Sequence, residues 1–290
     1  MTNIVTKIMD FVKKKVKGKN MLKYIIFATQ KNIPELKVLQ QECNKKGVKL
    51  LLCLPEEETL INETIYITDH EEICMQLLEE KANVLVWLHE DNREQNFGKA
   101  PYAIESIIEL DFVYIEKIYQ RFQKIPWKIA ETKRCIIREM TVDDLDAVYE
   151  VYSAPSITKY MEGLYENREE ELEYTRSYIQ NAYTFWGYGT WIIEKKSNGK
   201  VIGRVGFNLR EGYEEPELGF VIMESEQGKG YAFECCQIAL QVGKEEYEFE
   251  TMQTLVKEGN TASINLCLKL GFEFQEKVKL EKEEYLRFLI

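Results

Sequence analysis

Two periods of apolar residues alternate along the first half of the chain. From Met21 to about Lys128, short apolar runs are separated by segments whose apolar positions recur every three to four residues, which predicts strands alternating with helices. "KYIIFAT", "VKLLLCLP", "ETIYITD" and "NVLVWLHE" read as strands. "NIPELKVLQQECNKKG" reads as a helix closed by Gly47, and "HEEICMQLLEEKA" as an amphipathic helix. "IIELDFVYIEKIYQRFQK" closes the region with a long helix. Strands alternating with helices predict a small parallel α/β layer.

Pro126 and the polar "ETKR" mark a linker or edge strand near 126–134, and the pattern then changes. "RCIIREM" reads as a strand, and Thr141 caps a helix with Asp143 and Asp144 in its first turn, where the helix dipole favours anions. An irregular connection leads to the helix "EEELEYTRSYIQNAYTF". A hairpin turns at Asn198-Gly199, and "EPELGFVIM" is a further strand. After a glycine loop come helix "YAFECCQIALQVGKEEY", strand "TMQTLVK", helix "TASINLCLKLGF" and a closing strand pair. The expected domains are therefore a basic leader at 1–20, an α/β domain at 21–130 and a second domain at 131–290.

The leader holds six lysines against Asp10, and Ile4, Ile8, Phe11 and Val12 fall near helical spacing. A solvated leader is the plainer reading and contact with an anionic membrane surface the other. No apolar run reaches the roughly 20 residues of a membrane helix, and no signal-peptide pattern is present, so a cytoplasmic protein is expected. The seven cysteines are scattered without a C-x-x-C, which predicts reduced, mostly buried thiols. Two histidines give a metal site little to build on.

Residues 1–130 balance 19 basic against 19 acidic residues, whereas residues 131–290 set 19 against 30, the whole of the net charge of −11. That disfavours nucleic acid and suits a cationic partner such as an amine. Solubility alone would also account for it.

The strand ends of the first region, "FATQKN", "TDHEE" and "LHEDNREQNFG", are where such folds bind ligands, yet none is a glycine-rich phosphate loop. "HEDNREQN" could be a binding loop but reads more simply as solvated. The region resembles a trimmed haloacid dehalogenase-like or Rossmann-like domain without the aspartate pair such hydrolases need. It is read as a regulatory, dimerising or substrate-shaping domain, and a homodimer is possible.

The loop Gln227-Gly228-Lys229-Gly230-Tyr231-Ala232 joins a strand to a helix. A helix N-terminus presents unpaired N–H groups and partial positive charge, and glycines let an anion approach the backbone, which suits a pyrophosphate. It is neither a Walker A loop nor a dinucleotide fingerprint. With this loop, "GNTASINLCLKLGF" and the element order, residues 134–290 resemble the GNAT superfamily of N-acetyltransferases, in its ribosomal-protein N-terminal and small-amine branch. "QGKGYA" matches that family's acetyl-CoA loop, and Asn260, Ser263, Gly271 and Phe272 match its second signature in spacing.

The resemblance implies a mixed, mostly antiparallel, splayed sheet with flanking helices, and acetyl-CoA as cofactor. Its pantetheine arm would pair with backbone groups of Phe220, Val221 and Ile222. The pyrophosphate would rest on N–H groups from Gly228 to Ala232, near Gln227, Lys229 and Tyr231. Asn260 and Ser263 would steady the far side. Glu217 is the candidate general base for an amine acceptor, a small molecule or a protein N-terminus. A plain strand-edge charge is the other reading, and Glu214 and Glu215 are rivals. Where many relatives hold a tyrosine acid, this chain has Cys267: a thiol acid, or a small buried helix residue. Tyr160, Met161, Glu162 and Tyr165 would line the acceptor pocket, with Trp186 and Trp191 as lining or core. The competing functional reading is a silent CoA-binding module.

Overall fold

The structure, a computed structural model, describes residues 21–29, 31, 33–52, 61–280 and 283–290. The expected leader lies outside the described residues. The chain divides into two compact units, Met1–Ile125 and Pro126–Ile290.

In the first unit, β1 (Tyr24–Ala28), β2 (Lys49–Leu51), β3 (Thr64–Thr68), β4 (Asn83–Trp87) and β5 (Tyr102–Ile104) form one sheet in the order β2-β1-β3-β4-β5. Every pair is parallel. β3 is buried at all five positions and β1 at four, as the middle of a sheet covered on both faces requires. Side chains alternate between the faces. Ile25, Phe27, Ile65 and Ile67 meet α1 (Lys37–Lys46) and α3 (Phe112–Phe122), while Ile26, Tyr66, Val84 and Val86 meet α2 (Glu71–Glu79). Gly47 ends α1 at φ 72°, the left-handed cap that costs a residue without Cβ nothing. Asp111 starts α3 by accepting from the Tyr114 N–H at 2.7 Å. The three residues of β5 give too short a pattern to read, and that strand was not expected.

The second unit is one eight-stranded sheet in the order β12-β13-β11-β10-β9-β8-β7-β6. Its strands are β6 (Lys128–Glu131), β7 (Cys135–Arg138), β8 (Thr190–Lys195), β9 (Val201–Asn208), β10 (Glu217–Ile222), β11 (Gln253–Lys257), β12 (Glu273–Leu280) and β13 (Glu283–Leu289). All neighbours are antiparallel except β10 and β11. The sheet is mixed and mostly antiparallel, as expected. Because β6 pairs with β7, the second unit begins at Pro126 and not at 131.

One face of the sheet carries α4 (Leu145–Tyr152) and α6 (Arg168–Tyr178), which follow the short helix α5 (Pro155–Thr158); α7 (Tyr231–Glu245) and α8 (Thr261–Leu270) cover the other. The Arg138 guanidinium fixes the first face by donating to both Asp144 oxygens at 2.8 and 2.7 Å. Asp144 Oδ2 also accepts from the Thr141 N–H and hydroxyl, closing the expected cap. Beyond Tyr178 the helix widens into a π-helix, Ile179–Trp186, ended by Gly187 at φ 78°. The wider turns bring both Tyr178 and Tyr183 to Thr190: its N–H donates to the Tyr178 oxygen, and its carbonyl accepts from Tyr183. Trp191 is fully buried against Phe207 and Tyr247, so it is core and lines no pocket. Trp186 lies exposed at the end of the π-helix.

Candidate functional site

β10 and β11 share a single registered pair, Glu217 with Gln253, and part beyond it. Thr254 acts as the wedge: its hydroxyl donates to the Leu218 carbonyl at 3.0 Å, taking the acceptor a continuous ladder would use. On the other side β10 stays paired with β9 from Glu217 to Ile222. The Met223 N–H donates to the Ile202 carbonyl at 2.8 Å. Hydrogen-bonded pairs alternate along an antiparallel ladder, so Val221, Gly219 and Glu217 also turn their backbone groups to β9. Phe220 and Ile222 turn theirs to the opening. The Ile222 carbonyl is taken by Gln227 Nε2 at 2.9 Å. The Phe220 N–H and C=O and the Ile222 N–H thus face the gap as an open strand edge, and Val221, expected to join them, points the other way. The Gln227 side chain is likewise spent on stapling the loop to β10.

The glycine loop follows. Gly228 and Gly230 have φ 71° and 81°, left-handed values that a side chain resists. Among the described residues, no backbone or side-chain group accepts from the N–H groups of Gly228 to Ala232, which open α7. Arg134, 95 residues away, holds the loop from outside. Its Nη1 donates to the Lys229 carbonyl at 2.9 Å and its Nε to Glu234 at 2.7 Å, and its guanidinium lies 4.1 Å from the Tyr231 ring centroid. Glu226 accepts from both Lys195 and Lys229, at 3.1 and 3.0 Å. Lys229 is therefore ion-paired, and half-exposed. Those two lysines hold the Glu226 carboxyl below the usual range. Arg134, Lys195 and Lys229 thus stand among the carboxylates of Glu224, Glu226 and Glu234 around the loop.

At the far side, Asn260 Oδ1 accepts from the Ser263 N–H at 3.2 Å and caps α8. This makes Asn260 first a helix cap. Gly271, at φ 96°, ends the helix, and Phe272 is buried behind it. Cys267 is fully buried, and burial pushes its thiol up to about 12. Of its two readings, burial supports the small helix residue over the acid.

Glu217 sits where the strands part, and its side chain is 14% exposed. Both oxygens accept from Arg210, Nε to Oε2 closely and Nη2 to Oε1 at 3.3 Å. Of its rivals, Glu215 is paired with Arg287 and Glu214 is exposed. The four expected acceptor residues separate. The Tyr160 ring lies over Gly259, where a side chain would meet it at 3.4 Å. Exposed Glu162 faces the charges of Arg210 and Lys257. Met161 packs on the core. Tyr165 stands in a row with Tyr174 and Tyr178, at centroid spacings of 5.8 and 6.2 Å. Sequence reading missed Arg134, Lys195, Arg204, Arg210 and the bare Gly219. Arg134, Lys195 and Arg210 meet residues of other elements, and Arg204 and Gly219 gain their places only through strand register, so no local spacing marks them. Among the described residues no cluster of His, Cys, Asp and Glu could hold a metal, and no helix is long and apolar enough to cross a membrane.

The open strand edge, the unpaired N–H groups above two left-handed glycines and the cations around them fit a pantetheine arm and a pyrophosphate, two parts of CoA. Residues 134–273 match the family model described as the acetyltransferase (GNAT) domain. The chain is 30% identical over 149 residues to a Bacillus subtilis (strain 168) protein named uncharacterized N-acetyltransferase YoaA, covering 50% of this chain and 82% of that one. It is 29% identical over 134 residues to the uncharacterized protein YkkB of the same organism, covering 44% and 75%. Among solved structures, an acetyltransferase from Agrobacterium tumefaciens (strain C58) superposes with a TM-score of 0.49 at 22% identity, over 56% of this chain and 92% of that one. By the family match and the relationship to YoaA, the chain belongs to the GNAT family of acetyltransferases, enzymes that use acetyl-CoA.

Proposed function

We propose that the second unit moves an acetyl group directly onto a primary amine, of a small molecule or a protein N-terminus, with Glu217 as the base. The parting of β10 from β11 at Glu217 carries the reading, because it puts an open backbone edge and a carboxylate at one point. Phe220 and Ile222 hold the cofactor's arm by backbone pairing, as an added strand is held. The N–H groups of Gly228 to Ala232 receive its pyrophosphate, and Arg134 keeps them in place. Acetyl-CoA, when bound, supplies an activated acetyl thioester. The acceptor arrives as an ammonium, since an alkylamine has a pKa of about 10. Glu217 Oε1, held by Arg210 at 3.3 Å, keeps a lone pair for that ammonium and takes its proton directly or through water. The Phe220 N–H is the donor placed to meet negative charge growing on the acetyl oxygen. No residue is assigned as acid, because a thiolate is a good leaving group. The first unit is assigned no chemistry and is read as a regulatory or dimerising domain, and the protein as cytoplasmic.

The test is release of CoA thiol from acetyl-CoA with a panel of amines, amino acids and peptides. Turnover with at least one acceptor is expected, falling about 10²- to 10⁴-fold in kcat for Glu217→Gln. CoA binding without turnover across the panel overturns the reading in favour of a silent CoA-binding module.

A further inference from the structure

The face of the second sheet under α4 and α6 carries a cation, Arg204, that has no counter-ion among the described residues. Arg204 on β9 pairs in register with Val221 on β10 and Ile192 on β8. Its Nε is sealed from solvent and has no hydrogen-bond partner, while the residue as a whole keeps partial exposure. Tyr152, Tyr178 and Tyr183 surround it, and Tyr152 shares a side-chain hydrogen bond with its guanidinium. Among the described residues no carboxylate pairs with it. The buried carboxylates nearby in the chain fold, Glu139 and Glu171, accept from the backbone N–H groups of Trp127 and Tyr165. On α6, Thr175 Oγ1 is a second buried polar atom without a partner. A donor sealed from water without a partner is costly unless something compensates it.

Register ties this cation to the proposed base. Residues directly opposite in an antiparallel ladder share a face, and so do residues two apart in a strand. Arg204 with Val221, Gly206 with Gly219, and Asn208 with Glu217 therefore lie in one row across this face. In the middle of the row the Gly219 position is bare, since a side chain built there would meet nothing nearer than Asn208 Nδ2 at 4.0 Å, whereas the Gly206 position is closed by the Gly189 backbone, whose carbonyl a side chain would meet at 2.0 Å. Arg204 and Glu217 stand on either side of that bare place, with Cα atoms separated by about four strand steps, or ~13 Å, before the side chains lean in. The tyrosine row flanks it, from half-exposed Tyr174 to buried Tyr183.

We infer that the acetyl acceptor is a zwitterion: an amine that also carries a carboxylate, the amine directed to Glu217 and the carboxylate received by Arg204. A guanidinium is the side chain whose fork fits a carboxylate in two parallel hydrogen bonds. The acidity of the unit, which disfavours an anion, does not oppose a zwitterion, which has no net charge to be repelled. The assignment rests on the acetyltransferase reading for its amine end only; the carboxylate end stands on Arg204 itself.

Two measurements on the full chain separate the two readings. The first is CoA release with α- and ω-amino acids of increasing length, each paired with its carboxamide, for the wild type and for Arg204→Gln. A preference of at least tenfold in kcat/KM for the acid over its amide is expected in the wild type and should vanish in R204Q. The second is calorimetric binding of the corresponding N-acetyl amino acids to the protein saturated with CoA. Wild type should bind the acids and not the amides, R204Q should bind neither well, and both proteins should bind CoA alike. Equal use and equal binding of acids and amides by the wild type overturns the Arg204 assignment while leaving acetyl transfer standing. Selective binding of the acids without turnover supports Arg204 and removes the transferase reading. An R204Q protein that fails to fold leaves the wild-type acid-to-amide comparison as the deciding result.

Discussion

Replacing Arg134 by methionine tests whether the CoA loop is held from outside rather than by its own lysine. Arg134 makes three contacts that Met cannot: to Glu234 at 2.7 Å, to the Lys229 carbonyl at 2.9 Å, and over the Tyr231 ring at 4.1 Å. Arg134 is 38% exposed and Glu234 21%, so the ion pair is discounted for solvent to about 1 kcal/mol. The bond to the carbonyl contributes about 1 kcal/mol, and the ring contact about 0.5 kcal/mol. Methionine still packs on Tyr231 and recovers part of this, leaving a net loss of about 2 kcal/mol. At about 1.4 kcal/mol per decade, that is roughly a thirty-fold rise in the Kd for CoA and in the KM for acetyl-CoA, with kcat within about twofold. Arg134→Lys keeps the charge but not the fork and should lie between. Lys229→Ala removes a lysine already paired with Glu226 and should cost less than about threefold. Calorimetric titration of CoA into the three variants decides the matter. If Lys229→Ala weakens CoA binding more than Arg134→Met does, the loop is a charge clamp and the tether argument is wrong.

Other outcomes follow from single contacts. Gly230→Ala must hold a Cβ at φ 81°, which should cost about 1 to 2 kcal/mol of stability or CoA affinity, read by thermal melts with and without CoA. Asp144→Asn breaks a largely buried fork with Arg138 and should lower stability by about 3 kcal/mol in urea titrations. Arg138 and the Thr141 cap hold the Asp144 carboxyl below its ordinary value, against the opposing pull of burial. Its contribution is therefore full above the ordinary carboxylate range and lost as pH falls below about 4, so wild type and D144N should converge in acid. Cys267→Ala should leave kcat and its pH profile unchanged while costing about 1 to 2 kcal/mol of packing; loss of an alkaline limb would restore the thiol as an acid.

Much of this was legible in one dimension. Strands and helices of both units follow from periodicity, because burial of one face or both imprints a local repeat. Gly47, Gly199 and Gly271 mark turns, since left-handed backbone is a local demand met by a local residue. "QGKGYA" and "NTASINLCLKLGF" placed the loop and the second helix because their backbone work is done within a few residues. What the tertiary structure alone decided are relations between strands. Val221 turns from the gap because of the β9 register, Thr254 reaches Leu218 where that gap opens, and Cys267 is sealed from solvent in the core. Arg134 meets its loop across 95 residues, and Arg204 meets the row of Gly219 and Glu217 only once β9 and β10 pair. Spacing within a segment is set by the chain's own geometry, whereas which segment lies opposite is set by packing of the whole sheet, and half of the site depends on the second.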